Sequence, residues 1–389
     1  MAHIEDRIVH DADAHVMETP DWLTPFADPD MRDEIQARFD KVFFGGRAET
    51  FQAVEQQHDD AEFMADFDTE FMARKNHSAL GSFRKEDRPR AVDLMGVASQ
   101  LVFPTSANVM IESLEHGDNM DLLYAMARAS NRAQLDFCSI DKRLLPVCNV
   151  PLADIEQACR TAEEAIKAGA SALLIPWACP KRHATSHIGL DPIWAAASEA
   201  GLPVLFHVGA ADFVLPAAHA KNGLPEIADF HGGDENFRSI SYMAIPAGPQ
   251  QALSMLILDG VLDRFEHLKI GVVELGAIWL PSYMRQLDAA MEAFGRHEER
   301  LQALRLRPRE YINRQVRVTP YPTEDTGWII ENAGADVCMF SSDYPHVEGG
   351  RNPYGRFCKT TEGLPEATLD AFYRGNFEDL LGQGLTRRL

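Results

Sequence analysis

Short apolar and β-branched segments recur along the whole chain, and amphipathic patterns separate most of them. The segments have the length of buried strands rather than of helices. Eight can be distinguished, over about residues 8–15, 100–104, 144–150, 171–176, 203–208, 270–275, 315–320 and 337–342. The pattern therefore predicts a chain in which strands alternate with helices.

Two of the intervening segments carry clear helix signals. Apolar residues recur at three-to-four spacing over residues 152–168, and Gly169 follows as a C-cap. Asp191-Pro192 begins another predicted helix, which Gly201 ends. Such alternation implies parallel pairing, and eight units close into an α/β fold of the (β/α)8 TIM-barrel type. An open doubly wound sheet is the alternative, but no Gly-x-Gly-x-x-Gly follows the first strand.

Two connections are much longer than a barrel needs. Residues 16–99 follow the first strand, and residues 209–249 follow the fifth. In a barrel both insertions leave the rim at which the strands end, so we predict that they form lids and a substrate pocket. Surface elaboration or a subunit contact is an equally supported alternative. Because barrels of this length are common, we expect a single domain over residues 1–389.

Acidic and histidine residues stand at the ends of three predicted strands. Asp13 and His15 end the first, His207 ends the fifth and Asp343 follows the eighth. Since strand ends in a barrel meet at one rim, we predict that these four side chains hold a divalent ion. Two carboxylates and two imidazoles suit zinc, manganese or iron better than calcium.

Charge and composition narrow the range of partners. A formal charge of −22 at pH 7 argues against nucleic acid, because a protein that repels phosphate gains nothing from counterion release. Six cysteines without a Cys-x-x-Cys pair indicate reduced thiols. Neither a signal-peptide pattern nor a membrane-spanning apolar run is present in the sequence. We expect a cytoplasmic enzyme that acts on a small molecule and forms a homo-oligomer, most simply a homodimer.

Four motifs together carry a family resemblance. They are Asp11-Ala-Asp13-Ala-His15-Val-Met-Glu18, Leu205-Phe-His207, Gly276-Ala-Ile-Trp-Leu-Pro281 and Phe340-Ser-Ser-Asp343-Tyr-Pro-His346. With them the chain resembles the amidohydrolase-2 group of the amidohydrolase superfamily, which includes decarboxylases similar to aminocarboxymuconate-semialdehyde decarboxylase as well as hydrolases. The resemblance implies a distorted (β/α)8 barrel and a metal ion bound by Asp13, His15, His207 and Asp343.

Three features depart from that family. The first strand carries Asp-x-His where many relatives have His-x-His, which makes the donors harder and leaves manganese beside zinc as the expected ion. No lysine occurs over residues 171–176, so that strand cannot form the carboxylated-lysine bridge of binuclear hydrolases. Glu274 stands where decarboxylating relatives usually present a catalytic histidine. It is a candidate proton shuttle, metal ligand or orienting carboxylate.

Two further acidic residues lie near the predicted centre. Asp11 is predicted to share a strand face with Asp13 and His15, because side chains alternate along a strand. It is therefore a candidate metal ligand, or a residue that holds His15 by a hydrogen bond. Glu18 lies just past the strand end and is a weaker candidate ligand, with a solvated loop residue as the alternative.

The other candidates lie in loops. His231 stands among glycines of the second insertion and is a candidate catalytic or substrate-contacting residue. His346 follows Asp343 closely and is a candidate acid, base or substrate contact. Arg182 and Arg238 are candidates for binding a substrate carboxylate, because a guanidinium group matches its geometry.

Three enzymatic functions and one non-enzymatic function fit these residues. The leading hypothesis is hydrolysis of a small organic substrate by metal-activated water, with Asp343 as general base and Glu274 or His231 assisting. The second is non-oxidative decarboxylation of a small aromatic or unsaturated carboxylic acid. The third is oxygenation by a non-haem pair of iron ions. A barrel that keeps the metal only as a structural element is the remaining alternative.

Overall fold

A parallel sheet forms the centre of the fold. The computed structural model describes residues 3–43, 48–209, 215–225, 239–382 and 384–385. Its strands are β1 (His10–Val16), β2 (Ser99–Pro104), β3 (Leu144–Asn149), β4 (Ala172–Leu174), β5 (Val204–His207), β6 (Ile270–Val273) and β7 (Val316–Val318). They lie in chain order, and each neighbouring pair is parallel. This is the topology of an α/β barrel, so the predicted fold class is confirmed.

Helices surround the sheet and form the connections between its strands. The α-helices of the described residues are α1 (Arg32–Phe43), α2 (Ala48–His58), α3 (Ala61–Ala65), α4 (Phe67–Glu70), α5 (Arg88–Met95), α6 (Ser106–Glu115), α7 (Met120–Cys138), α8 (Ile155–Ala168), α9 (Asp191–Ala200), α10 (Ser239–Ala244), α11 (Ala247–Leu258), α12 (Val261–Arg264), α13 (Leu280–Phe294), α14 (Glu299–Gln302), α15 (Pro308–Gln315), α16 (Thr326–Ala333), α17 (Pro353–Thr360), α18 (Glu366–Asp370) and α19 (Asn376–Leu381). The predicted C-caps are confirmed: Gly169 and Gly201 have φ of 101° and 64°, the left-handed conformation.

The eighth predicted strand, residues 337–342, is not a regular strand. Its segment nevertheless bonds to both edges of the sheet. Val318 N donates to Val337 O beside β7, and Asp343 N donates to Asp13 O beside β1. The sheet therefore closes into a distorted barrel. Asp343, which follows these residues, has φ of 52°, outside the extended region.

A β-bulge interrupts β1. Three steps along β1, from Asp11 to Ala14, match two steps along β2. The extra residue breaks the two-residue alternation of side chains. Asp11 consequently bonds to Gln100 beneath α5, whereas Asp13 and His15 face the barrel interior. The prediction that Asp11, Asp13 and His15 share one face is therefore wrong.

Apolar side chains fill one end of the barrel and leave the other end to polar groups. The interior cluster includes Phe103, Val147 and Leu205, and helix α19 closes it from below. There the Phe377 ring stacks on His10, the first residue of β1, with 4.9 Å between ring centroids. The opposite end, where the parallel strands terminate, is the end at which barrels carry their active sites.

The first insertion contacts this functional end. It contains α1 to α5, and Asn76 N donates to Pro345 O. Pro345 comes shortly after residues 337–343, the closing segment, which joins β7 to β1. Part of the second insertion, residues 210–214 and 226–238, lies outside the described residues. Among the described residues, no helix combines the length and the apolar character needed to cross a membrane.

Candidate metal centre

Four buried side chains meet where the strands end. Asp13 and His15 extend from β1, His207 is the last residue of β5, and Glu274 follows β6 directly. Their nearest ligand atoms all lie within 4.8 Å of one another. Asp13 Oδ1 is 3.1 Å from His15 Nε2 and 3.4 Å from His207 Nε2. Glu274 Oε2 is 3.2 Å from His207 Nε2. The barrel thus brings together residues that are far apart in the sequence.

A second, overlapping group adds Asp343 and His346 to His15 and Glu274. Asp343 Oδ1 lies 3.7 Å from His15 Nε2. His346 Nδ1 lies 3.0 Å from the same Asp343 oxygen, and its Nε2 lies 3.1 Å from Thr105 Oγ1. The structure therefore places His346 against Asp343, at the site where the sequence suggested an acid, base or substrate contact.

The donor atoms of this centre fit a divalent cation. Within the described part of the chain, both Asp13 oxygens, His15 Nε2, His207 Nε2 and Asp343 Oδ2 are buried without a hydrogen-bond partner. Burying such groups unpaired costs several kcal/mol, so native structures rarely do it. Here the atoms converge on a common region. A cation bound among them would satisfy all five atoms at once.

Hydrogen bonds on the far side of each imidazole direct its Nε2 toward the centre. Thr105 Oγ1 donates to Val16 O, so it can accept from His15 Nδ1 at 3.2 Å. His207 Nδ1 donates to Val208 O at 3.0 Å. With Nδ1 carrying the hydrogen, each neutral ring offers the lone pair of Nε2 to a metal ion.

The two histidines differ in their electrostatic surroundings. Burial lowers the pKa of His15 well below its usual value, and the neighbouring His346 and His207 lower it further. Burial also lowers the pKa of His207, but the carboxylate of Asp13 outweighs this effect and the net pKa is raised. A cation at this centre therefore competes with a proton on His207 more than on His15.

Two carboxylates of the centre have a left-handed backbone. Glu274 has φ of 53°, and Asp343 has φ of 52°. Thr319 Oγ1 accepts from Glu274 N at 2.9 Å, and Tyr321 Oη donates to Glu274 O at 2.8 Å. Such a backbone costs about 1–2 kcal/mol for a residue other than glycine. It persists where the surrounding structure fixes it, and such positions cluster at functional sites.

Asp11 does not belong to the cluster. Its Oδ1 accepts from Ser342 N at 2.8 Å, while its Oδ2 accepts from Ser342 Oγ at 2.6 Å and from Gln100 Nε2 at 2.8 Å. Burial raises the pKa of Asp11 to about 7, although these bonds oppose the rise. Asp11 thus joins β1 to β2 and to the closing segment. It neither faces the centre nor bonds to His15, because the bulge turns it outward.

Glu18 caps a helix. Its Oε1 accepts from Thr105 N and Ala107 N at 3.0 and 3.1 Å, and its Oε2 accepts from Ser106 N at 2.9 Å. A carboxylate at this position satisfies free N–H groups and is favoured by the helix dipole. The structure therefore places Glu18 at the N-terminus of α6 rather than in the cation site.

The structure gives less information on the candidates in loops, Arg182, His231 and Arg238, than on those at the strand ends. Arg182 is exposed and does not line the cavity beside the cluster. His231 and Arg238 lie outside the described residues. That small cavity is lined by the carboxylates of Asp13, Glu274, Asp343 and Glu348 and by Pro320, Tyr321 and Pro322, among other residues.

Several residues that support the site give no signal in the sequence. Arg88 is fully buried and donates to His15 O at 2.9 Å, to Gly81 O at 3.2 Å and to Gln100 Oε1 at 3.2 Å. Lys75 lies among charges that include Asp343, and burial lowers its pKa to about 8. Both residues belong to the first insertion, where they resemble ordinary surface cations. Only the tertiary contacts show what they do.

The comparisons with known proteins agree with this architecture. A family model described as "Amidohydrolase" matches residues 10–383. A search of curated proteins finds no significant match. A solved amidohydrolase from Mycobacterium avium subsp. paratuberculosis is 19% identical with a TM-score of 0.73, and the alignment covers 97% of this chain and 99% of that one.

Two solved decarboxylases are also similar. The 5-carboxyvanillate decarboxylase of Novosphingobium aromaticivorans, solved with bound manganese, is 17% identical with a TM-score of 0.63 and 97% coverage of both chains. The 2,6-dihydroxybenzoate decarboxylase of Rhizobium is 17% identical with a TM-score of 0.61, with 97% of this chain and 99% of that chain covered. At these identities the likeness concerns the fold.

Proposed function

This chain belongs to the amidohydrolase family, and we propose that it is a metal-dependent decarboxylase of a small aromatic or unsaturated carboxylic acid. The observation that carries the proposal is the buried carboxylate and imidazole cluster at the strand ends, beside a small cavity that Pro320, Tyr321 and Pro322 also line. In this proposal the substrate carboxylate points toward the cluster and the apolar part of the substrate contacts these three side chains. The decarboxylating structural relatives support the same reaction class.

The cluster favours one ion over two. Paired catalytic ions lie about 3.5–4 Å apart and need donors on both sides. Here His15 and Glu274 belong to both ligand groups, so the two groups describe one compact site. Strand β4 carries no lysine that could bridge a second ion. These features support a mononuclear centre and weigh against the di-iron oxygenase.

Asp13, His15, His207 and Asp343 would hold the divalent ion, manganese or zinc. When bound, the ion supplies positive charge that binds and orients the substrate carboxylate or an adjacent oxygen. The side chains of Pro320, Tyr321 and Pro322 would pack on the substrate and exclude water. The protein thus contributes orientation, together with a local environment of low polarity.

Decarboxylation also needs a proton at the carbon that loses the carboxylate. The bond to the carboxylate breaks, carbon dioxide leaves, and the electron pair that remains on carbon takes up a proton. We assign this proton to Asp343, which would take it up from solvent water before it passes it to carbon and which His346 contacts at 3.0 Å. Thr105 holds His346 from the other side, and this contact fixes the direction of the ring.

Hydrolysis is the second candidate, because Glu274 stands where decarboxylating members of the family usually carry a histidine. In that reaction Asp343 would take a proton from water and return it to the leaving group. A structural relative described as an amidohydrolase gives this alternative some support.

The two reactions differ in their products. Protein loaded with manganese or zinc is incubated with hydroxybenzoates and unsaturated acids, and separately with esters, lactones and amides. We expect carbon dioxide from at least one acid and no turnover of the second group. Asp343→Asn should abolish this release of carbon dioxide. Asp336→Asn, which changes an exposed carboxylate, should leave it unchanged. Turnover of an ester, lactone or amide without any carbon dioxide would refute decarboxylation and support hydrolysis.

A further inference from the structure

We propose that Glu274 is itself a ligand of the metal ion, and that this third carboxylate makes the site prefer Mn²⁺ over Zn²⁺. The inference concerns metal binding and does not depend on whether the reaction is decarboxylation or hydrolysis. It rests on distances within the cluster, on the backbone of Glu274 and on the chemistry of the donors.

The distances place Glu274 in the same relation to the centre as Asp13. Glu274 Oε2 lies 3.2 Å from His207 Nε2 and 4.0 Å from His15 Nε2. Asp13 Oδ1 lies 3.4 and 3.1 Å from the same two nitrogens. The two carboxylates therefore flank both imidazoles, and an ion that binds the imidazoles would also meet Glu274.

The distances within the cluster are compatible with more than four ligands. A tetrahedral ion with bonds of about 2.1 Å holds all its ligands about 3.4 Å apart. An octahedral ion with the same bonds holds neighbours about 3.0 Å apart and opposite ligands about 4.2 Å apart. The separations of 3.1, 3.2, 3.4 and 4.0 Å between the two imidazole nitrogens and the oxygens of Asp13 and Glu274 lie within the range that the two geometries span, so they are compatible with more than four ligands.

The backbone of Glu274 is held in the manner expected of a ligand. Its left-handed conformation is shared with Asp343, which also lies in the cluster. Side chains that follow β7, Thr319 and Tyr321, bond to both backbone polar groups of Glu274. Gly276 leaves room for this arrangement, because a Cβ there would come within 2.9 Å of the Tyr321 ring. The protein therefore fixes a costly conformation that directs this one carboxylate inward.

The donor set then determines the choice of metal. Zinc ordinarily binds nitrogen and oxygen donors more tightly than manganese, so preference for manganese must come from geometry and ligand type. An ion bound by residues of both groups would receive three hard, anionic oxygens from Asp13, Glu274 and Asp343, and five protein ligands would exceed the four that zinc prefers. Removal of Glu274 would leave two carboxylates and two imidazoles, a set well suited to tetrahedral zinc.

The test measures metal binding without substrate. Protein stripped with a chelator is titrated with Mn²⁺ or Zn²⁺ against a chromophoric chelator, and bound Mn²⁺ is also followed by electron paramagnetic resonance. Glu274→Gln should weaken Mn²⁺ binding about 100-fold, the upper end of the range known for residues that support metal ligands. It should weaken Zn²⁺ binding much less. Glu274→His should shift the preference to zinc.

Glu115→Gln is the matched control, since Glu115 is a buried carboxylate outside the cluster and its loss should leave both dissociation constants unchanged. Unchanged Mn²⁺ affinity in folded Glu274→Gln would overturn the proposal, as would two manganese ions per chain at saturation. If the variants do not fold, anomalous diffraction from wild-type crystals grown with Mn²⁺ decides. A bond of about 2.1 Å from the ion to Glu274 is expected, and a gap beyond bonding distance would refute it.

Discussion

Arg88 offers the sharpest test of how the first insertion supports the metal centre. Its guanidinium group is fully buried and donates to His15 O, to Gly81 O in the insertion and to Gln100 Oε1 on β2. It also lies over the Tyr344 ring, 5.2 Å from the centroid. Methionine in its place would fill much of the volume but donate no hydrogen bond.

The loss of stability expected for Arg88→Met follows from the hydrogen-bond acceptors that would lose their donor. Each of three buried oxygens would lose a partner, at about 1–1.3 kcal/mol apiece near the lower end of the usual range, or about 3–4 kcal/mol in total. The entropy of unfolding, about 2.1 cal/mol/K per residue, amounts to about 0.8 kcal/mol/K for 389 residues. The melting temperature should therefore fall by about 4–5 °C. Since His15 would lose the anchor of its carbonyl, metal affinity should fall about tenfold.

Calorimetry gives the melting temperature, and competition with a chelator gives the metal affinity. Arg90→Met, on the same helix but only partly buried, is the control and should change the melting temperature by less than about 1 °C. Arg88→Lys should be intermediate, because an ammonium group cannot reach all three acceptors in one plane. A melting temperature for Arg88→Met within 1 °C of wild type, with unchanged metal affinity, would show that the three bonds do not matter.

Three further predictions follow from the same structure. Asp343→Asn should lower kcat at least about 1000-fold while the protein stays folded. Product release measures kcat and far-UV circular dichroism checks the fold, and near-normal turnover would exclude Asp343 as the proton donor. Burial raises the pKa of Glu115 from 4.5 to about 8, so the folded state holds the proton of this carboxyl more tightly than the unfolded state does. The resulting contribution to stability is complete below pH 4.5 and is lost as the pH rises through 8. Urea unfolding across that range should show that the free energy of unfolding falls with pH, by up to about 1.4 kcal/mol per pH unit from this group. Glu115→Gln should make this dependence on pH shallower, and a variant with the same slope as wild type would contradict the raised pKa. Free Mn²⁺ at 100 times its dissociation constant should stabilise the protein by about 2.7 kcal/mol, which raises the melting temperature by about 3 °C. If calorimetry shows no shift in the melting temperature, the ion does not bind the folded centre.

The sequence allowed the barrel and the place of its centre to be predicted, because both depend on general rules. Alternating strands and helices imply parallel order, and parallel order brings strand ends together. Asp13, His15, His207 and Glu274 could therefore be expected at one rim before any distance was known. Their local patterns are simple, since each follows a short apolar strand.

The errors come from features that depend on single residues in three dimensions. A one-residue bulge turned Asp11 outward, although nothing in Asp11-Ala-Asp13-Ala-His15 marks where alternation fails. The predicted eighth strand forms no regular ladder, and the left-handed backbone of Asp343 after it has no signature in a non-glycine residue. Glu18 caps a helix that begins 88 residues later in the chain, and only tertiary structure joins the two. The roles of Arg88 and Thr105 could not be predicted from the sequence for the same reason.

Charge balance connects the metal ligands with the reaction. With the proposed ligand set, three ionised carboxylates around a divalent ion would leave the centre with one net negative charge, and His346 and Lys75 are among the nearby groups that could offset it. An ion with several anionic ligands lowers the pKa of bound water less than one held by neutral imidazoles, so hydroxide forms less readily. Hydrolysis needs that hydroxide, whereas decarboxylation needs an oriented substrate and a proton for carbon. If Glu274 binds the ion as a third carboxylate, the charge of the centre therefore favours decarboxylation over hydrolysis.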